Sequence, residues 1–291
     1  MRRFVLIILA CATLLSSSAE AYDVLILQSR RDTAYDEVLK GFRFAEKTSL
    51  RMLVLSEYAE VDIVRIVREE RPKVILALGD IALSASRKVP QTPVVAVMSL
   101  GINTMKGSHP NLTGIGMNAS PERYIRIFQS MKTRRIGVIY NPARSGWYLR
   151  LARRAAEAAG IELIAREISS PREVVENLSA LAGKVDALWM LPDITAVTRN
   201  TTEAYFQFGQ QQAVPVVSFA GNYLGLGAAV VLEIDRVAMG HQAGEIVAAL
   251  LRGIPGENIP INFPGGIIVR TNPSVIRRLG SSFTEKELRL R

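Results

Sequence analysis

The stretch GAAVVLEIDRVAMGHQAGEIVAALLRG, residues 227–253, decides the fold. Residues 228–234 form a small-residue apolar run, too short for a membrane span and of the right length for a buried strand. After Asp235, the side chains Val237, Ile246, Val247, Leu250 and Leu251 recur on one side of a helix. Asp235 suits the N-cap, because its carboxylate accepts a hydrogen bond from a backbone N–H of the first turn. Gly253 suits the position just past the helix, and Pro255 blocks any continuation. An acidic side chain therefore stands where a buried strand ends and a helix begins, the usual place of ligand contacts in an open α/β sheet. Asp235 fits two readings, helix cap and ligand contact.

Outward from this unit, strand and helix alternate along the chain. Residues 24–27 form a strand ending at Gln28-Ser29, and a helix follows with Val38, Leu39, Phe42 and Ala45 on its inner face. A strand at 52–55 leads to a helix over 61–71 closed by Pro72, and a strand at 74–78 stops at Gly79-Asp80 before a short helix over 81–88. Strands at 93–98 and 112–117 complete the first round. The rhythm restarts with a strand at 135–140 ended by Asn141-Pro142, then a helix capped by Ser145 and stopped by Gly160. A strand at 161–166, a helix from 170 to about 183, a strand at 186–191, a helix from Pro192-Asp193 to about 211 and a strand at 214–219 follow.

Strands rich in β-branched residues, without polar alternation and separated by helices, belong to parallel sheets covered on both faces. The pattern plays twice, so the fold class is α/β with two similar doubly wound, Rossmann-like lobes. The first lobe is assigned 22–118 plus 228–258, and the second 119–227 plus 259–291. The polar segment 117–122 is a candidate hinge, and 227–253 carries the chain back to the first lobe. Residues 259–269 read as a further strand pair, and Asn272-Pro273 opens a last helix.

With 48% hydrophobic and 22% charged residues over 291 positions, the chain is globular and long enough for two domains. Residues 1–21 read as a signal peptide: Arg2-Arg3, an apolar core over 4–15 and a small-x-small site at Ala19-Glu20-Ala21. A lipid anchor on Cys11, after Ile8-Leu9-Ala10, is the competing reading of this segment. Cleavage after Ala21 leaves a periplasmic chain without cysteine, and so without a disulfide or a thiolate nucleophile. The net charge of +9 falls by one unit on cleavage. Lys and Arg are spread evenly rather than set in an aromatic-interleaved stripe, and export also argues against nucleic acid as a partner.

The catalytic inventory is thin. His109 and His241 are the only histidines, too few for a histidine metal cluster. Neither a nucleophile elbow nor a phosphate-binding loop occurs, and Gly114-x-Gly116 and Gly225-x-Gly227 lack the third glycine of a dinucleotide fingerprint. No enzyme, cofactor or metal is expected. What the sequence offers is a set of polar or small residues at strand ends: Gln28, Ser29, Gly79, Asp80 and Ser99 in the first lobe, and Asn141, Asp193, Ser218 and Asn222 in the second. Two such edges facing each other across a hinge form a cleft that closes on a small molecule.

The strings RIGVIYNP (135–142), DALWMLPD (186–193), VPVVS (214–218), GAAVVLEID (227–235) and GHQAGEIVAALLRG (240–253) stand in an order that resembles a known family. It is that of the solute-binding proteins of ABC importers with the type I periplasmic-binding fold, including tryptophan- and tyrosine-binding members. The resemblance covers essentially the whole chain after residue 21. It implies two lobes joined by three crossings, an amino-acid-like ligand between them, a permease as partner and a monomer. It places Asp235 at the family's acidic residue facing a ligand ammonium, Asn141 at the polar residue after the first strand of the second lobe, and Asp193 after a proline. It also places Gly79 and Asp80 at the turn whose backbone N–H groups hold a carboxylate. The chain departs from the family at Ser99-Leu100, where relatives carry Asp-Pro, and at Ser218-Phe219, where relatives often carry Ser-Glu. Each departure removes a carboxylate, and Phe219 fits either an aromatic or apolar ligand group or core packing. A module with the same lobes that signals to a membrane receptor or kinase without transport is the alternative function.

Overall fold

The computed structural model describes residues 22–105 and 109–280. The expected signal peptide, Cys11 within it and the polar tail from 281 lie outside the described residues. The first lobe begins with β1 (Val24–Gln28), α1 (Thr33–Ala45), β2 (Leu50–Val54), α2 (Ile63–Glu70) and β3 (Val74–Leu78). It continues through α3 (Asp80–Ser86), β4 (Val94–Val97), the one-turn α4 (Ile102–Met105) and β5 (Leu112–Ile115). The second lobe runs α5 (Pro121–Ser130), β6 (Arg135–Tyr140), α6 (Pro142–Ala158), β7 (Glu162–Glu167), α7 (Val174–Ser179) and β8 (Ala187–Trp189). After α8 (Thr202–Gln211), β9 (Val216–Ser218) and α9 (Tyr223–Leu226) comes β10 (Val230–Ile234), then α10 (Arg236–Leu251), β11 (Ile261–Asn262), β12 (Ile267–Thr271) and α11 (Pro273–Arg278).

The two sheets have the same winding. The orders are β2-β1-β3-β4-β5-β11 and β7-β6-β8-β9-β10-β12. In both, the first strand lies between the second and third, so successive helices fall on opposite faces. β1 and β3 are buried along their whole length, which is why their sequences run apolar without alternation. Among the described residues every strand pairing is parallel except β10 with β12, an antiparallel edge on the second sheet.

Three segments join the lobes: 116–120 between β5 and α5, the step from Ile234 to Asp235, and 263–266 between β11 and β12. They are bonded side by side. Gly116 N donates to Asn262 O at 2.9 Å and Asp235 N to Gly266 O at 3.1 Å. The Gln242 side chain on α10 donates to Phe263 O and accepts from Gly265 N, at 3.2 and 3.0 Å.

This topology moves the lobe boundaries expected from the sequence. β10 belongs to the second sheet and β11 to the first, so 228–234 and 261–262 change sides. The return crossing falls at Asp235 rather than at residue 227. β11 and β12 are not a pair, because each extends a different sheet.

Helix α10 then packs on α1 at backbone distance. A Cβ on Gly240 would lie 1.9 Å from Val38 O, and one on Gly41 1.9 Å from Val237 O, so only glycine fits at either position. The buried face of α10 is Met239, Gly240, Ala243, Gly244, Ile246, Val247 and Leu250, whereas Val237, expected inside, is exposed. Two further expectations shift. The cap of α6 is Asn141, whose Oδ1 accepts from Ala143 N at 2.9 Å, with Pro142 in the first turn; Ser145 lies inside the helix. The helix expected from Pro192-Asp193 begins only at Thr202, because polar side chains take up the backbone N–H groups before it.

Candidate functional site

The carboxyl ends of both sheets face a cleft with two adjoining chambers. The first, of about 340 Å3, is walled by Met98 and Leu100 from one lobe and by Ile194, Val197, Phe219 and Tyr223 from the other. Met117 and Ile234 of two crossings form its floor, with Glu233 and Arg236 beside them. The second, of about 390 Å3, holds Asp80, Gly101 and Thr104 opposite Arg144, Ser145 and Trp147. Leu100, Pro192, Asp193 and Ile194 line both, so the chambers adjoin along these residues.

In the first lobe, Gly79 adopts φ +88°, a left-handed conformation, and has no room for a Cβ beside the Tyr35 hydroxyl. That turn starts α3 and brings Asp80 to the cleft. Ser29 is buried and anchors the same turn: its Oγ donates to Leu78 O at 2.8 Å and accepts from Ala82 N at 3.0 Å. Gln28 is buried beside it and donates to Arg30 O. Asp80 is exposed, and its Oδ1 accepts from the buried Ser99 hydroxyl and from Gly101 N at 2.9 Å. Among the described residues Oδ2 accepts nothing. Met98 holds φ +56°, rare for a side chain of this size, and this turns the chain from β4 toward Ser99 and Leu100.

In the second lobe, Asp193 is 1% exposed and fully engaged. Its Oδ2 accepts from Asn141 N at 2.8 Å and Ser145 Oγ at 2.7 Å, and its Oδ1 from Thr195 N at 2.9 Å and Ala196 N at 3.1 Å. Tyr205 lies near Asp193, and burial first, then that carboxylate, pushes its hydroxyl well above the usual tyrosine range. Ser218 is buried and donates to the Met190 sulfur at 3.3 Å, away from both chambers. Phe219 does reach the first chamber, edge-on to Tyr223 with ring centroids 5.2 Å apart. Asn222 flanks α9 and lines neither chamber.

Asp235 caps α10, accepting from Ala238 N at 2.9 Å, and its side chain lies against Gly266 of the third crossing rather than on a chamber wall. Glu233, two residues before it, and Arg236, directly after it, line the chamber instead. Neither residue stands out in the sequence as a ligand contact, nor do Arg144 and Trp147, which line the second chamber. Glu233 carried a signal, being the one charged residue in the apolar run 228–234. Arg144, in the first turn of α6, makes no ion pair among the described residues. Trp147 stacks on Phe263 of the third crossing, with centroids 6.4 Å apart at 21°. No group of three His, Cys, Asp or Glu among the described residues is placed to hold a metal ion.

Residues 52–289 match the family model described as ABC transporter substrate binding protein. The chain is 23% identical over 187 residues to the tyrosine-binding protein of Clostridioides difficile strain R20291, across 62% of this chain and 54% of that one. It therefore spans about half the length of that curated relative. Among solved structures, a ligand-free, open substrate binding protein with adhesive properties from Clostridium difficile superposes with TM-score 0.68 at 18% identity, over 91% and 96% of the two chains. A conserved domain protein from Vibrio cholerae gives 0.62 at 21% identity, over 92% and 97%. An ABC domain from Streptococcus pneumonia in complex with L-Trp gives 0.61 at 16%, over 91% and 96%. At these identities the structures establish a shared fold.

Proposed function

The chain belongs to the ABC transporter substrate binding protein family, and from that premise we propose that it holds a small amino-acid-like zwitterion between its lobes for an importer in the inner membrane. One observation carries this reading: Asp80, with an oxygen that accepts nothing, and Arg144, with no ion pair, both among the described residues, line the same chamber. An α-ammonium meets the Asp80 carboxylate, and an α-carboxylate meets the Arg144 guanidinium, both as charge-assisted hydrogen bonds. The ligand side chain then passes Leu100, Pro192 and Ile194 into the apolar chamber against Phe219 and Tyr223. Tyrosine and tryptophan, printed for two of the similar proteins, have this combination of zwitterion and aromatic group. Closure about the three crossings brings the two lobes onto the ligand and removes water from both charges, which strengthens them. The protein acts as a periplasmic monomer, and the chemistry required is binding alone.

Asp235, first expected at the ammonium, has a supporting part in this reading. It fixes the start of α10 and hence the position of Arg236.

The test is a thermal-shift screen of residues 22–291 against the common L-amino acids. A bound ligand at 100 times its Kd adds about 2.7 kcal/mol of stability. The reading requires at least one amino acid to raise the melting midpoint and its deaminated or decarboxylated analogue to fail. A flat response across the set sinks it.

A further inference from the structure

The polar side chains of the apolar chamber are not equally occupied. Asp193 accepts four hydrogen bonds from its own lobe. The Tyr223 hydroxyl lies against Thr202. Glu233, with a side chain 19% exposed, is held between two guanidinium groups: Arg270 Nε is 3.2 Å from Oε2, and Arg236 Nη2 is 3.7 Å from Oε1. Its negative charge is already balanced by those two cations.

Arg236 differs. Its Nη1 donates to Glu37 Oε2 at 2.9 Å, and its contact with Glu233 is an ion pair beyond hydrogen-bond length. A guanidinium carries five N–H groups, so most of its donors remain available. The side chain lines the chamber and is one-third exposed. Glu37 belongs to α1 of the first lobe and Glu233 to β10 of the second, so the guanidinium is held from both sides of the crossing. A wholly apolar ligand side chain pressed against it strips water from donors that gain nothing in return, which is the physical basis of strong discrimination at polar sites.

We propose that Arg236 sets the specificity of the cleft by donating to an acceptor oxygen at the far end of the ligand's side chain. The ligand class is thereby narrowed to zwitterions whose apolar side chain ends in an acceptor oxygen. This rests on the zwitterion reading above.

Calorimetric titration of residues 22–291 with L-phenylalanine, L-tyrosine and 4-nitro-L-phenylalanine separates the two ideas. The wild type binds the two oxygen-tipped ligands at least about tenfold tighter than phenylalanine. Arg236→Met, and Arg236→Gln as a second variant, lose the preference, and Arg236→Met binds phenylalanine more tightly than the wild type because no unpaired donors are left to desolvate. Equal binding of phenylalanine and tyrosine by the wild type overturns this inference and leaves the zwitterion reading standing. So does an Arg236→Met protein that keeps the preference or weakens all three ligands alike. A wild type that binds none of the three overturns this inference too, and one that binds no amino acid at all removes the zwitterion reading with it.

Discussion

Asp80 and Asp193 occupy matching places, each just past the strand that flanks the first strand of its sheet. Their surroundings are opposite. Asp193 is buried and accepts from four groups through both oxygens, tying the ends of β6 and β8 and the start of α6 into one unit. Asp80 is exposed and accepts from two groups through one oxygen. In the first lobe the bracing is left to Ser29, a neutral group that bonds across from β1 to β3 and α3. Where a small hydroxyl does the structural task, one carboxylate oxygen accepts no hydrogen bond among the described residues. Where the carboxylate does it, the lobe offers apolar and aromatic walls and the nearby Arg144.

The largest expected effect is on the second lobe. Asp193→Ala leaves several buried donors without acceptors, at about 1–3 kcal/mol each, and lowers stability by about 3–5 kcal/mol in denaturant unfolding. Asp80→Ala lowers it by less than about 1 kcal/mol, as expected of an exposed side chain. Both tryptophans, Trp147 and Trp189, lie in the second lobe, so their fluorescence follows that lobe while circular dichroism follows both. Equal losses for the two variants would erase the distinction.

Helix glycines give the next contrast. Gly240→Ala drives a Cβ into Val38 O at 1.9 Å and lowers stability by about 2–3 kcal/mol, since α1 and α10 must separate. Gly146→Ala in α6 meets nothing closer than 3.9 Å and raises stability by about 0.5–1 kcal/mol through helix propensity. Melting midpoints of the two variants check both signs.

The smallest effect is on the acid side. Burial raises the Asp186 carboxyl, but hydrogen bonds from the Arg135 side chain and from the backbone of Arg134 and Arg135 outweigh it and hold it below the usual aspartate value. In the first lobe, Lys73 and Thr48 hold Asp23 low in the same way. A depressed folded value means that the stabilisation is present above the unfolded value of about 3.9 and is lost as pH falls through the folded one. Asp186→Asn therefore flattens the loss of stability below about pH 4 reported by fluorescence, whereas Asp23→Asn flattens only the part reported by circular dichroism.

The architecture was legible because burial on both faces writes itself into strands such as 24–28 and 74–78 as unbroken apolar runs. Lobe membership of β10 and β11 was not. An apolar run reports that a strand is buried but not which of two similar sheets it joins. Of the strand-end residues, Asp80, Asp193 and Phe219 line the two chambers. Asp235 and Ser218 do not, because a helix cap and a core hydroxyl look the same in sequence as ligand contacts one residue away. Glu233 and Arg236 have partners far away in the chain, Arg270 on β12 and Glu37 on α1, which no local pattern carries. Trp147, in the second turn of α6, also lines the second chamber.

The most direct test of the division between the two carboxylates is one paired melt. Asp80→Asn and Asp193→Asn are heated with and without the amino acid that stabilises the wild type. Asp80→Asn is expected to melt with the ligand-free wild type and to lose the ligand's shift, with affinity reduced about 10- to 100-fold for one charge-assisted bond. Asp193→Asn is expected to melt early and to keep the shift. The reverse pattern, or a full ligand shift in Asp80→Asn, would contradict the account.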